Sequence, residues 1–572
     1  MKLFGIKNVL IACGLSFIAL TSCSDMLETE SDQYIFADGE NLTDPTDTLY
    51  SMVGILNKLQ AVADRTVILG EVRGDLVQLT PFASTELQEV SIWEVGTDNK
   101  YNRPRDYYAI INNCNYFLAH ADTALKNNRG EHIFLKEYAA VKAVRAWTYL
   151  QLGLVYGRVP FVARPLTSME VKEDEFPLYD LEQICRYFIS DLTPYVNTDM
   201  PGYGSIGSVD SRLCYFPIHL LLGELNLWVG NYRQAALSYY HYISSRGGTN
   251  TAWPLATRSV NWMPGEATYT RYDDSWSLAS FSTSSEAFTA TGELVTMIPG
   301  DSVVSSPYYS ELPDLWNTTT SNEGYYSLTP SVAMQALSRT QIYCNQTTDG
   351  EAYYAPNNLP AQRAGDLRLM SVWDRATRPS GGSDADRPLT QEILKFSTPH
   401  VHLWRCGMVY LRLAEAVNRA GFPQFAYNLL ATGVNNHVMD SLQRAYPQDS
   451  VWLDQFDFPN TAYVLRSESP TGYTTLGVHS RGCGYTELNQ SYPMPVGTLD
   501  EQIQAVEDLI IDECALELAF EGHRFYDLMR VALRRSDPSY LATRVAARLG
   551  QDVPSGITVD LTDTQNWYLK MP

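Results

Sequence analysis

The sequence predicts a mostly α-helical protein in which antiparallel helix pairs form a scaffold, interrupted by a long, irregular, loop-rich insertion at about residues 245–400. Three observations carry this expectation: apolar residues recur with helical period towards both ends of the chain, helix–turn–helix patterns appear between them, and the composition changes abruptly in the insertion. With 572 residues the chain is long enough for one large helical body with a continuous core.

Taking the elements in order, residues 1–22 read as a secretory signal, with Lys2 and Lys7 ahead of an apolar run from Val9 to Leu20. That run is too short to span a bilayer as a mature helix. Leu20-Thr21-Ser22-Cys23 resembles the lipobox of bacterial lipoproteins, which makes Cys23 the expected first residue of the mature chain and the site of lipidation. Asp25, Glu28 and Glu30 resemble the acidic tract that sends lipoproteins of Bacteroides-type bacteria to the outer face of the outer membrane. Residues 23–45 are then an acidic linker, and 46–572 one large α-helical domain.

In residues 131–156, Phe134, Tyr138, Val141 and Val144 line up on one helical face, and Gly157 and Pro160 mark the stop. Residues 212–243 hold two apolar segments separated by Val229-Gly230-Asn231, with Trp228, Tyr232 and Ala235 flanking the turn. This spacing resembles the tetratricopeptide pattern, in which an aromatic and a small residue let two antiparallel helices approach closely. Residues 408–430 repeat the arrangement around Gly421 and Pro423. The three pairs are unevenly spaced, so a scaffold with insertions is expected instead of a regular solenoid.

The insertion is rich in Ser, Thr, Gly, Pro, Tyr and Trp and contains Trp253, Trp262, Trp276 and Trp316. Long loops on a rigid scaffold are where binding residues gather, although tryptophans under loops also build small local cores. The 65 acidic residues against 42 basic ones give a net charge of −23, which repels nucleic-acid phosphate and excludes that class of partner. Of nine cysteines, seven remain once Cys13 leaves with the signal and Cys23 takes the lipid. They show no paired spacing and read as small buried residues, not as a zinc or disulfide framework.

The stretch ALELAFEGHRFYDLMR, residues 515–530, crowds acids, bases and a histidine among apolar positions. On a helix from Val506 to about Glu521, the carboxylates of Glu513, Glu517 and Glu521 stack along one stripe. Each like-charge pair at that spacing costs roughly 0.2–0.5 kcal/mol, so cationic or donor groups must face them. Glu517 or Glu521 with His523 and Asp527 could form an acid/base pair. The alternative is a buried clamp of Glu513, Glu517, Glu521, Arg524 and Asp527, and it is the better reading because neither a nucleophile nor a phosphate-cradling loop accompanies them.

IIDECALELAFEGHRFYDLMR, residues 510–530, is similar to the C-terminal signature of SusD/RagB-like proteins, with Cys514 where that family usually has arginine. VRAWTYLQLGLVYGRVP (144–160) and YLRLAEAVNRAG (410–421) resemble two further helices of the family. The resemblance implies a helical, non-enzymatic, lipid-anchored protein of the outer membrane, facing the cell exterior, that caps a SusC-like TonB-dependent transporter and captures oligosaccharides or, in some branches, peptides. No cofactor and no metal ligand is expected, and the sequence is silent on metal dependence.

A sugar presents an apolar ring face and a rim of hydroxyls, which call for aromatic rings and for polar side chains respectively. The candidate stacking residues are Trp93, Trp276, Trp316, Tyr325 and Tyr326, and the polar partners are Asp75 together with Asp98, Asn99, Asn102 and Arg103 in TDNKYNRPRD. Competing readings are a surface glycoside hydrolase using two carboxylates, a metal site at His400 and His402, and a pure scaffold that binds the transporter alone.

Overall fold

The turn read at Val229-Gly230-Asn231 is made as its composition requires, because Gly230 takes a φ of 77°, where a side chain would be strained. On either side lie α5 (Ile218–Trp228) and α6 (Tyr232–Arg246). They touch so closely that a Cβ on Gly223 would overlap the ring of Tyr239. Tyr239 in turn donates its hydroxyl to Glu224 at 2.6 Å. Before this pair come α1 (Pro45–Glu71), α2 (Pro104–His120), α3 (Leu135–Tyr156) and α4 (Leu181–Leu192); after it come α7 (Cys406–Arg419), α8 (Pro423–Leu430), α9 (Leu499–Leu518) and α10 (Arg524–Arg535). The computed structural model describes residues 45–572 apart from 168–175, 207–208, 247–258, 264–270, 282–292, 302, 304, 320, 324, 347–350, 355–364, 374–392, 459–465, 470–471, 476 and 485–488. The signal segment, Cys23 and the acidic tract lie outside the described residues, as does Trp253.

Each scaffold helix packs on the next in sequence from α1 through α8, and α6 packs directly on α7 although more than 150 residues separate them. The chain thus leaves the stack after one helix pair and re-enters it at the adjacent position, so the insertion is an excursion from a continuous body. This is the tetratricopeptide-like arrangement, in which each pair buries its face on its neighbours. The apolar face read at 131–156 proves too narrow a description. From Ala139 to Tyr156 every residue of α3 is buried, because α1, α2, α4 and α5 surround it.

The C-terminal helix begins earlier than its apolar period suggested. Thr498 caps α9, and Glu501 closes a reciprocal capping box with it. The chain leaves the helix at Ala519, and the following turn, with Phe520 at φ 72° and Gly522 at φ 88°, leads into α10. The backbone of Gly522 lies against Gly70 of α1, where a Cβ would overlap the Gly522 carbonyl. Two antiparallel strand pairs help to tie the insertion down. Strand Val77–Leu79 pairs antiparallel with Leu328–Pro330, and Leu294–Ile298 pairs antiparallel with Val401–Arg405 through bulges. Cys114, Cys185, Cys214, Cys344, Cys406, Cys483 and Cys514 are all buried, and among the described residues they form no disulfide. Among the described residues no helix is long and apolar enough to cross a membrane.

Candidate ligand-binding surface

Most residues chosen from the sequence as ligand contacts belong to the core, which corrects that expectation. Trp276 is fully buried: its indole N–H donates to Glu517 at 3.1 Å, and Arg405 and Lys395 lie over its ring. Trp316 is fully buried between Phe396 and Phe520. Trp93 packs edge-on against Phe525, with the Arg73 guanidinium over it. Asp75 is buried against Arg524, 2.6 Å from its Nε, and Asn102 donates to the carbonyls of Gly96 and Lys570. Asn99 is likewise buried, donating to Glu86 and Glu89. A tryptophan contributes more apolar area than any other side chain, so loops that wrap back onto a scaffold bury it first. Asp98 and Arg103 are exposed, and Tyr326 is half-buried with its carbonyl accepting from Thr80.

Tyr325 has the opposite fate. It is 54% exposed, and beside it stands Phe82, 57% exposed, with ring centroids 4.6 Å apart and planes tilted by 44°. Phe82 escaped the sequence reading. Its signal was an aromatic in the turn-forming stretch LTPFAS, where an apolar ring has no helix or strand face to occupy. The strand pair Val77–Leu79 with Leu328–Pro330 brings the early and mid-chain segments side by side. Thr80 then donates its N–H to Ser327 and its hydroxyl to Tyr326, and Ser327 donates to the Phe82 carbonyl. The Tyr325 N–H is held by the Asn322 carbonyl, and the Asn322 amide by the carbonyls of Asp314 and Asn317. Glu323, two residues before Tyr325, adopts φ 53°, a strained backbone of the kind that accumulates where a loop is fixed for a purpose. Two exposed rings on a hydrogen-bonded frame can cover the apolar face of a ligand.

The acid-rich cluster is enclosed. Glu517 meets Arg405 and Arg481 at 2.5 Å each and Arg368 at 2.9 Å. Burial alone would raise its carboxyl, but those three guanidinium groups hold it well below the ordinary range. Glu521 pairs with Arg405 and Lys395 and lies near 2, against the upward push of burial. Glu513 pairs with Arg368 and His479. Gly407 has no side chain because the Glu517 carboxylate occupies that space. Where Cys514 replaces the family's arginine, Arg412 of α7 reaches across to Asp527 at 2.6 Å, and Arg530 joins Asp527 to Glu415. The aromatic residues flanking the α5–α6 turn complete this side, Trp228 lying under Arg530 and Tyr232 under Arg534. Arg524 pairs with Asp75, and Glu71 accepts the N–H groups of Gly522 and His523.

Glu517 and Glu521, held down by their guanidinium partners, have no proton to give at neutral pH, so neither acts as a general acid with His523. The His523 Nε2 lies 3.2 Å from the Leu403 carbonyl. The cavity bordering Glu521 and His523 measures 50 Å³, room for a water or two and not for a saccharide. His402 is buried and stacked on Phe281, and His400 accepts from the Gly300 N–H. Among the described residues no three His, Cys, Asp or Glu side chains converge as metal ligands. Elsewhere a groove of 610 Å³ opens beside α4, α5 and α6, lined by side chains that include Asn197, His219, Gln234 and His241.

Stacked helix pairs, C-terminal helices riveted by buried ion pairs and loops that carry exposed rings define a tetratricopeptide-like helical scaffold. Residues 483–565 match the model of the SusD family. The fold matches a SusD superfamily protein from Bacteroides vulgatus with a TM-score of 0.55 at 15% identity, covering 91% of this chain and 96% of that one. It also matches surface glycan-binding protein A from Bacteroides uniformis (TM-score 0.53, 14% identity, 92% and 96% covered) and NanU from Bacteroides fragilis (0.51, 15%, 93% and 95%). No curated protein matches the sequence. The resemblance read from residues 510–530 is thereby borne out: the chain carries the SusD/RagB-type C-terminal segment on a SusD-like fold.

Proposed function

We propose that this protein captures oligosaccharides at the cell surface and delivers them to a SusC-like TonB-dependent outer-membrane transporter, itself remaining bound to the membrane through a lipid on Cys23. The observation that carries this reading is the exposed Phe82–Tyr325 pair, two apolar ring faces on a frame fixed by hydrogen bonds. Support for the ligand class comes from a structural relative that is named as a surface glycan-binding protein. Capture without cleavage agrees with a C-terminal cluster whose carboxylates are neutralised by arginines.

Calorimetry with a panel of oligosaccharides tests the proposal. Phe82→Ala or Tyr325→Ala should each weaken binding about tenfold, the equivalent of an aromatic contact worth about 1.4 kcal/mol. The release of new reducing ends by the purified chain, or an affinity unmoved in both variants, would remove the proposal. Peptides bound in place of glycans, with the same dependence on the two rings, would keep the surface and change its ligand.

A further inference from the structure

The groove beside α4–α6 contains a pair of histidines that the proposed function does not use. His219 stands in the first turn of α5 and His241 in the third turn of α6, with ring centroids 5.7 Å apart and planes 46° from parallel. Among the described residues no ring nitrogen of either histidine is hydrogen-bonded to the protein. Both rings border the groove, His219 partly buried and His241 exposed.

The spacing is that of a chelate. Two imidazoles on one ion, each at a nitrogen–metal distance of about 2.1 Å, place their ring centroids roughly 5 Å apart for a tetrahedral angle, and slightly farther for a wider one. The observed centroid separation of 5.7 Å falls at the wider end of that range. The backbone holding it is stiff: His219 lies one turn from Gly223 and His241 two residues from Tyr239, and at these two residues α5 and α6 are in close contact. The Tyr239–Glu224 hydrogen bond fastens the same contact. Binding a metal therefore requires little ordering of the protein.

We infer that His219 and His241 form a bidentate site for a single transition-metal ion of the Zn²⁺, Ni²⁺ or Cu²⁺ class, open to the groove. Imidazole suits these ions, whereas Ca²⁺ and Mg²⁺ require oxygen donors. Two protein ligands leave the remaining positions to water or to a molecule in the groove, next to the amide of Asn197 and the amide of Gln234. The affinity expected of two ligands is micromolar, well short of a four-ligand structural zinc site. A chain of net charge −23 also concentrates cations around itself.

The test is calorimetric titration of the untagged protein with Zn²⁺, repeated on His219→Gln and His241→Gln, which keep side-chain size and polarity. One ion per chain is expected, with affinity falling at least about tenfold in each variant, since losses confined to outer-shell partners already reach that size. The electron-spin spectrum of the Cu²⁺ form supplies a second readout, because two coupled imidazole nitrogens are expected and each variant should show one. Absence of micromolar binding in the wild type, equal binding in both variants, or Ca²⁺ bound in preference to Zn²⁺ would overturn the inference.

Discussion

At the scale of single residues, Glu71 shows how burial converts an ordinary side chain into a pH-dependent part of the fold. It ends α1, is fully buried, and accepts the N–H groups at the start of α10. Burial raises its carboxyl from 4.5 to about 8, against those hydrogen bonds. The folded chain therefore keeps a proton that the unfolded chain releases between those values, and this contribution to stability falls as pH rises from 4.5 through 8. Glu71→Gln can keep the accepting oxygen and removes the titration, so its denaturation midpoint should exceed that of the wild type above pH 8 by more than it does at pH 5. Parallel midpoint curves would refute this. Gly70 depends on shape alone: Gly70→Ala sets a methyl group against the Gly522 carbonyl and should cost about 1–3 kcal/mol in urea unfolding.

At the scale of elements, the stripe of Glu513, Glu517 and Glu521 on α9 depends on cations from other elements. Arg405 sits at the end of a strand beside α7, donates to Glu517 and Glu521, and also touches Glu293. Arg405→Met leaves buried carboxylates without their main partner and should destabilise by about 3–5 kcal/mol. Adding Glu521→Gln should restore part of that loss, so a double-mutant cycle with no coupling would count against the network. Because Glu521 is held near 2, its contribution is complete above 4.5 and is lost as pH falls between those values, which places acid unfolding in that window. The stripe was legible in the sequence, since three glutamates at four-residue intervals demand a partner. The partners were not. Lys395, Arg405, Arg368 and Arg481 lie far along the chain, and nothing local to any of them indicates a carboxylate opposite.

At the scale of the whole molecule, the same asymmetry divides what could be read from what could not. Helix pairs declare themselves through local period and through turns such as the one at Gly230, so the scaffold was visible; its closure across the insertion, α6 upon α7, was not, because that contact joins remote segments. The proposed ligand surface depends wholly on such remote contacts. Trp276 and Trp316 seemed the natural stacking residues by type and by region, yet the fold turns both inward and presents Phe82 with Tyr325 instead. A panel of four alanine variants separates these roles in one experiment. Trp276→Ala and Trp316→Ala each delete a fully buried ring and should lower stability by about 3–5 kcal/mol. Phe82→Ala and Tyr325→Ala remove rings that are already more than half exposed, so their unfolding midpoints should stay within about 0.5 kcal/mol of the wild type while glycan affinity drops. Thermal unfolding and calorimetry on the same four proteins check this. An affinity loss that tracks stability across the panel would mean that the rings act through the scaffold, whereas loss confined to the exposed pair assigns the contact to the surface itself.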